Sequence, residues 1–102
     1  MTMDYNNLKY LEFDWDKGNI NKAQKHGLTC REIELLFQQD LLILKDRKFS
    51  ILENRYIGVG ELQQRGVFFI FTIRHSLIRV ISARYMHKQE KDKYDNFKKE
   101  KV

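Results

Sequence analysis

The sequence predicts a single α+β domain over residues 1–102: a mostly antiparallel sheet with two N-terminal helices on one face and a C-terminal helix, in the order β-α-α-β-β-β-β-α. Three observations predict it. Thr29 and Glu32 stand three apart just before an apolar run, the mark of a helix start. From Leu42 to Arg84, short β-prone runs alternate with polar turns, which joins consecutive strands into an antiparallel sheet. There is no proline anywhere, no repeat and no low-complexity block, so nothing marks a linker or a second domain.

Tyr10-Leu11-Glu12-Phe13 reads as a short first strand. Asp14 or Asp16 can then cap a helix by accepting from its free N–H groups, Ile20 and Ala23 give that helix one buried face, and Gly27 suits the left-handed turn beyond its end. In the second helix Thr29 is the cap, and Ile33, Leu36 and Phe37 form an apolar stripe at i, i+3 and i+4, with the end near Gln39 or Asp40. Leu42 to Lys45 is a short strand, and Asp46 to Asn54 reads as a turn or hairpin connection. Arg55 to Glu61 is the next strand, with Gln63 to Gly66 as its turn. Val67 to Arg74, rich in Phe, Ile and Val, is apolar on both faces as a central strand would be. Beyond His75-Ser76, Leu77 to Arg84 is the last strand, and His87 to Lys99 is a charged terminal helix docked by Tyr94 and Phe97.

The 42% hydrophobic content suffices for one core, and a single cysteine, Cys30, leaves no intramolecular disulfide. Met1 to Lys9 is polar and unlike a signal peptide, and the longest apolar runs are far short of a membrane span, so a soluble cytoplasmic protein is expected. The net charge is +5, and its placement matters more than its size. Residues 1–73 hold ten basic and ten acidic side chains, whereas residues 74–102 hold nine basic against four acidic. The entire excess lies in the last third, a footprint suited to a polyanion, above all RNA.

Three clusters could carry chemistry. In the first, Lys17 and Lys25 flank the first helix and His26 closes it; a histidine there also suits the helix dipole. With no second His nearby and no set of several ligands at characteristic spacing, His26 suggests no metal site, and no cofactor is expected. In the second, Glu53 and Arg55 point to one side of an extended segment beside Tyr56, as a surface ion pair or as an acid and base at a cleft. The third is Arg74, Arg79 and Arg84. Strict alternation sets Arg79 with Ile81 and Ala83 on one face, and Arg84 with Ile78, Val80 and Ser82 on the other. A guanidinium among small apolar residues must pair with a carboxylate or stay open to a ligand such as phosphate. Acid pairing explains any one of these arginines well, and all three at once less well. Tyr85, Tyr56 and Phe71 could offer stacking surfaces to RNA bases.

The run Phe13-Asp14-Trp15-Asp16-Lys17, then Asn21, then Lys25-His26-Gly27, resembles the opening of the BrnT family. Arg55-Tyr56-Ile57-Gly58 and Phe71-Thr72-Ile73-Arg74 are similar to two of its strands, and Arg79-Val80-Ile81-Ser82-Ala83-Arg84 to its most distinctive element, followed by a charged helix with Glu90 and Tyr94. The resemblance implies a RelE-like fold and a ribonuclease toxin of a bacterial type II toxin–antitoxin pair. It further implies a block of translation, a BrnA-like antitoxin, and operator DNA bound only through the toxin–antitoxin complex. The expected reaction is metal-independent attack of a 2′-OH on the adjacent phosphodiester. His26, or else Glu53, would transfer protons, with Arg79 and Arg74 on the phosphate and Arg55 and Arg84 positioning the RNA. Lys17 and Lys25 would add to the field. The alternatives are a non-catalytic nucleic-acid-binding module and a protein-interaction module whose basic face docks an acidic partner.

Overall fold

Four antiparallel strands and three α-helices follow one another among the described residues. The computed structural model describes residues 5–48 and 53–100. A 3-10 helix, Tyr5–Tyr10, precedes α1 (Lys17–Gln24) and α2 (Cys30–Leu36). Strands β1 (Leu42–Lys45), β2 (Arg55–Leu62), β3 (Arg65–Arg74) and β4 (Leu77–Tyr85) then form a meander in sheet order β1-β2-β3-β4, and α3 (Lys88–Glu100) ends the fold. Within the expected connection from Asp46 to Asn54, residues 49–52 lie outside the described residues.

The first strand expected at Tyr10 to Phe13 is not there. Tyr10 belongs to the 3-10 helix, and the segment after it makes one parallel bridge, Phe13 to Ile78. Ile78 N–H donates to Glu12 O and Asp14 N–H to Ile78 O, both at 2.8 Å. The chain leaves the sheet after that bridge because Asp16 already caps α1. Its Oδ1 accepts from Gly18 N at 2.8 Å and Asn19 N at 3.1 Å, while Asn19 Oδ1 accepts from Asp16 N at 2.7 Å. Of the two candidate caps, then, Asp16 is the one used. Asn19 Nδ2 donates onward to Asp14 O (2.8 Å) and Val80 O (3.1 Å), so the outer edge of β4 is covered by the bridge and by α1. No described strand covers the outer edge of β1.

Helix α1 stops where expected, with Gly27 at φ 93°. The Thr29–Glu32 capping box opens α2. That helix ends at Leu36, short of Gln39, because Phe37, Gln38 and Gln39 donate to carbonyls three residues back. The tightened turn drops Phe37 into the core and lets Gln39 bond both backbone groups of Glu61. Phe37 packs 4.9 Å from the Phe69 ring and 5.2 Å from Phe71, with Leu28, Ile33, Leu36, Val67, Ile78 and Val80 around them. This core sits on one face of the sheet. Phe69 lies across Gly58, where even a methyl group would come within 2.3 Å of its ring.

Both tight hairpins use non-glycine residues at positive φ: Gln63 and Gln64 (50° and 69°), and His75 and Ser76 (52° and 65°). Such two-residue loops match the sheet twist but normally carry Asn-Gly. In Gln64→Gly, relief of about 1–2 kcal/mol of left-handed strain exceeds the ~0.5–1 kcal/mol of added chain freedom. A net gain of about 0.5 kcal/mol should raise Tm by roughly 2–4 °C. An unchanged or lower melting temperature would show that the turn stores no strain.

The register between β3 and β4 breaks once. Ile70 pairs with Ser82, but Phe71 pairs with Val80, so Ile81 is an extra, bulged residue.

Candidate nucleic-acid interface

That bulge decides where the arginines point. Arg79 and Arg84 are five apart, which in a regular strand means opposite faces. Across the bulge Arg79 faces Thr72 and Arg84 faces Phe68, and Phe68, Ile70, Thr72 and Arg74 lie on one side of β3. Arg55 on β2 also faces Thr72. Arg55, Arg74, Arg79 and Arg84 therefore share the face turned away from the core. The expected grouping of Arg79 with Ala83 is corrected: Ala83 joins Ile78 and Val80 in the core.

Helix α1 borders this face with Gly18 and Lys22, four apart on one helical edge, and His26 continues that border just past the C-cap. Between that edge and the sheet lie two adjoining depressions. One, of about 240 Å³, holds Lys22, Glu53, Arg55, Arg74 and Arg79. The other, of about 320 Å³, holds His26, Ser82, Arg84 and Glu90 over an apolar floor of Ile57, Phe68 and Ile70. They meet where Ile81 passes into Ser82 and where Lys22 lies one turn from His26. Six of the expected site residues, His26, Glu53, Arg55, Arg74, Arg79 and Arg84, thus line this groove, with His26 and Glu53 in different halves of it, whereas Lys17, Lys25, Tyr56 and Tyr85 line neither half.

Each of the three expected arginines carries a carboxylate. Arg79 Nη1 and Nη2 donate to Asp16 at 2.9 and 3.1 Å, and Asp14 lies 3.4 Å from Nη1. Arg74 Nε and Nη2 donate to Glu53 at 2.9 and 3.1 Å, with Arg55 Nε 3.7 Å from the same carboxylate. Arg84 Nη1 and Nη2 each donate to Glu90 at 2.9 Å, and its guanidinium lies 4.9 Å from the Phe68 ring centre. Acid pairing thus holds for all three at once, where the sequence made that the weaker explanation. The arginines are held in place by these carboxylates rather than left loose.

These pairs perturb their acids. The Arg84 guanidinium and the His87 N–H hold Glu90 down at about 2, and the Arg79 bonds with the capping N–H groups lower Asp16 below the usual carboxylate range. Arg79 and Arg84 shift upward in return. A depressed carboxylate contributes stability that is full above its ordinary value near 4.5 and is lost as pH falls toward 2. Both sites are solvent-accessible, so the effect is moderated by screening. Melting temperature should hold from pH 7 to 5 and drop between pH 4.5 and 2, with Glu90→Gln flattening part of that drop. A Glu90→Gln profile that overlays the wild type would rule out this source.

Among the described residues, Lys17, Lys22, Lys25 and His26 have no carboxylate partner, and all four are exposed. Lys17 opens α1, Lys25 caps its C-terminus, and His26 follows directly. Lys22 was not singled out from the sequence, although its i, i+4 relation to Gly18 and His26 was the available signal. The aromatic residues are placed otherwise than expected. Tyr56 is buried 5.5 Å from Phe71, itself fully buried, and Tyr85 packs at the core margin under Arg65, 3.5 Å from its ring centre. Both tyrosines have even offsets from core residues along their strands, which turns them inward; the ring on the groove is Phe68. Among the described residues no three His, Cys, Asp or Glu side chains converge into a set able to hold a metal ion, and no helix is long and apolar enough to cross a membrane.

One family model matches the chain, over residues 13–90: the ribonuclease toxin, BrnT, of a type II toxin–antitoxin system. The match spans the Asp16 cap, both halves of the groove and Glu90. No curated protein and no solved structure matches.

Proposed function

The chain belongs to the BrnT family of ribonuclease toxins of type II toxin–antitoxin systems, and we propose that it cuts RNA laid along the groove between α1 and the open face of its sheet. The observation that carries this is the face shared by Arg55, Arg74 and Arg79, to which the Ile81 bulge brings Arg84, beside Lys22 and His26. Arg74 spends Nε and Nη2 on Glu53, which leaves Nη1 for a phosphate oxygen. Arg79, fixed by Asp16 and Asp14, stabilises the charge that grows on the phosphorane. Arg55 and Arg84 position the flanking nucleotides, Phe68 underlies a base, and Lys17, Lys22 and Lys25 draw the backbone in.

His26 is the proton-transfer group, at the wall of the groove and beside Ser82. Glu53, already gripped by Arg74, serves to fix the arginines. The 2′-OH attacks the neighbouring phosphorus, the P–O5′ bond breaks, and the products are a 2′,3′-cyclic phosphate and a 5′-OH. The cationic lining supports a reaction that runs without metal. The reading includes a RelE-like fold in one cytoplasmic domain over residues 1–102, a block of translation, a BrnA-like antitoxin, and operator contact only through the complex.

Purified protein incubated with end-labelled RNA in excess chelator tests the chemistry. Shortened products with cyclic phosphate ends are expected. RNA that is shifted but intact would make the chain a binding module instead.

A further inference from the structure

A third depression, of about 350 Å³, lies at the other end of the open face, between β1 and α3. Its lining is mostly apolar, with Leu42, Leu44, Val59, Met86, Tyr94 and Phe97 beside the charged Glu90 and Lys93. Leu44 is 52% exposed and Phe97 37% exposed, among the few large apolar side chains left to solvent. Exposed apolar surface of this kind is the mark of an interaction site. Helix α3 buries no side chain fully, and it is tied down by ion pairs of Lys91 and Lys98 with Glu61 and of Glu90 with Arg84.

We propose that this groove docks the antitoxin, through a segment that is apolar toward Leu44 and Phe97 and acidic toward α3. The proposal rests on the reading of the chain as a toxin, since a type II system supplies a protein partner. Three observations select that occupant. Lys93 lines the groove, and it and Lys88 on the same helix have no acid partner among the described residues, which suits an acidic segment. The floor offers hydrocarbon and no donor cluster, which suits a protein and not a phosphate chain. The groove also runs beside β1, the sheet edge that no described strand covers. Phe68 and Glu90 line both this groove and the half that holds His26. A partner seated here therefore reaches the margin of the RNA site and bears on the Arg84–Glu90 pair.

The test expresses the wild-type chain, Leu44→Asp and Lys93→Glu in bacteria, each with and without the neighbouring reading frame, and measures binding of the purified product of that frame. Leu44→Asp should arrest growth like the wild type, escape rescue, and bind its partner roughly 30-fold more weakly. Lys93→Glu should weaken binding severalfold, more at low salt than at high. Full rescue and unchanged affinity in both variants would overturn the proposal. So would a wild-type chain that dimerises through this patch, or a folded Leu44→Asp protein that binds its partner normally but no longer arrests growth. Should Leu44→Asp fail to fold, Lys93→Glu, at an exposed helix position, decides alone. A wild-type chain that never arrests growth would instead refute the toxin reading.

Discussion

Arg79→Ala should abolish growth arrest and lower the rate of RNA cleavage by at least about 100-fold, the scale seen when one preorganised charge donor is lost from a transition state. The loss should fall on kcat more than on RNA affinity, because the lysines and the other arginines still attract the backbone. The fold should survive. Asp16 keeps its bonds to the Gly18 and Asn19 N–H groups, so α1 retains its cap, and the two carboxylates released are open to water. Arg79→Lys separates charge from geometry: a point charge restores attraction but not the fork that Asp16 orients, so partial activity is expected. An Arg79→Ala protein that melts like the wild type and remains fully toxic would remove Arg79 from the site.

Asn19→Ala should cost roughly 3 kcal/mol of stability, lowering Tm by about 12–24 °C for a chain of this size. Asn19 is 3% exposed, and its amide satisfies the N–H of Asp16 and the carbonyls of Asp14 and Val80. Alanine leaves three backbone groups without partners in a place water reaches poorly. The better helix propensity of alanine returns only about 0.6 kcal/mol, so desolvation wins. Asn19→Asp should do nearly as badly, since a carboxylate cannot donate to the two carbonyls. Because Asn19 holds the N-terminus of α1 to β4, Lys22 and His26 should lose their place even while the variant stays folded at low temperature. A Tm within 3 °C of the wild type would show that this anchor carries little.

Signals that depend on a few neighbouring residues were readable without the structure. The Thr29–Glu32 box, the left-handed Gly27 and the β-prone run ending at Arg74 all fall where their local chemistry put them. What escaped is set by partners distant in sequence. Leu11 to Phe13 has strand character, but whether it joins a sheet depends on the distant edge of β4 and on how soon Asp16 starts a helix. Strand β3 is apolar on both faces, so alternation alone could not say which side meets α2; Tyr56 and Tyr85 were therefore placed outward and lie inward. The bulge at Ile81 left no mark in composition, yet it moves Arg84 to the side of Arg79. Asn19 looks like any polar helix residue until its three partners, one of them 61 positions away, are seen. The charge asymmetry was legible in amount but not in use. The arginines are fixed in the sheet by acids, and the cations left without such partners in the groove lie on α1, outside the basic last third.

The central claim is that RNA lies along α1 over the bulged face. The most direct measurement is an NMR titration of the isotope-labelled chain with an RNA oligonucleotide whose 2′ hydroxyls are methylated and which therefore cannot be cut. Shifts should concentrate on Gly18, Lys22, His26, Ile57 and Ser82, with the Arg79 and Arg84 side-chain signals moving and Tyr56 unmoved. Shifts confined to the lysines of α3, with the α1 edge silent, would contradict it.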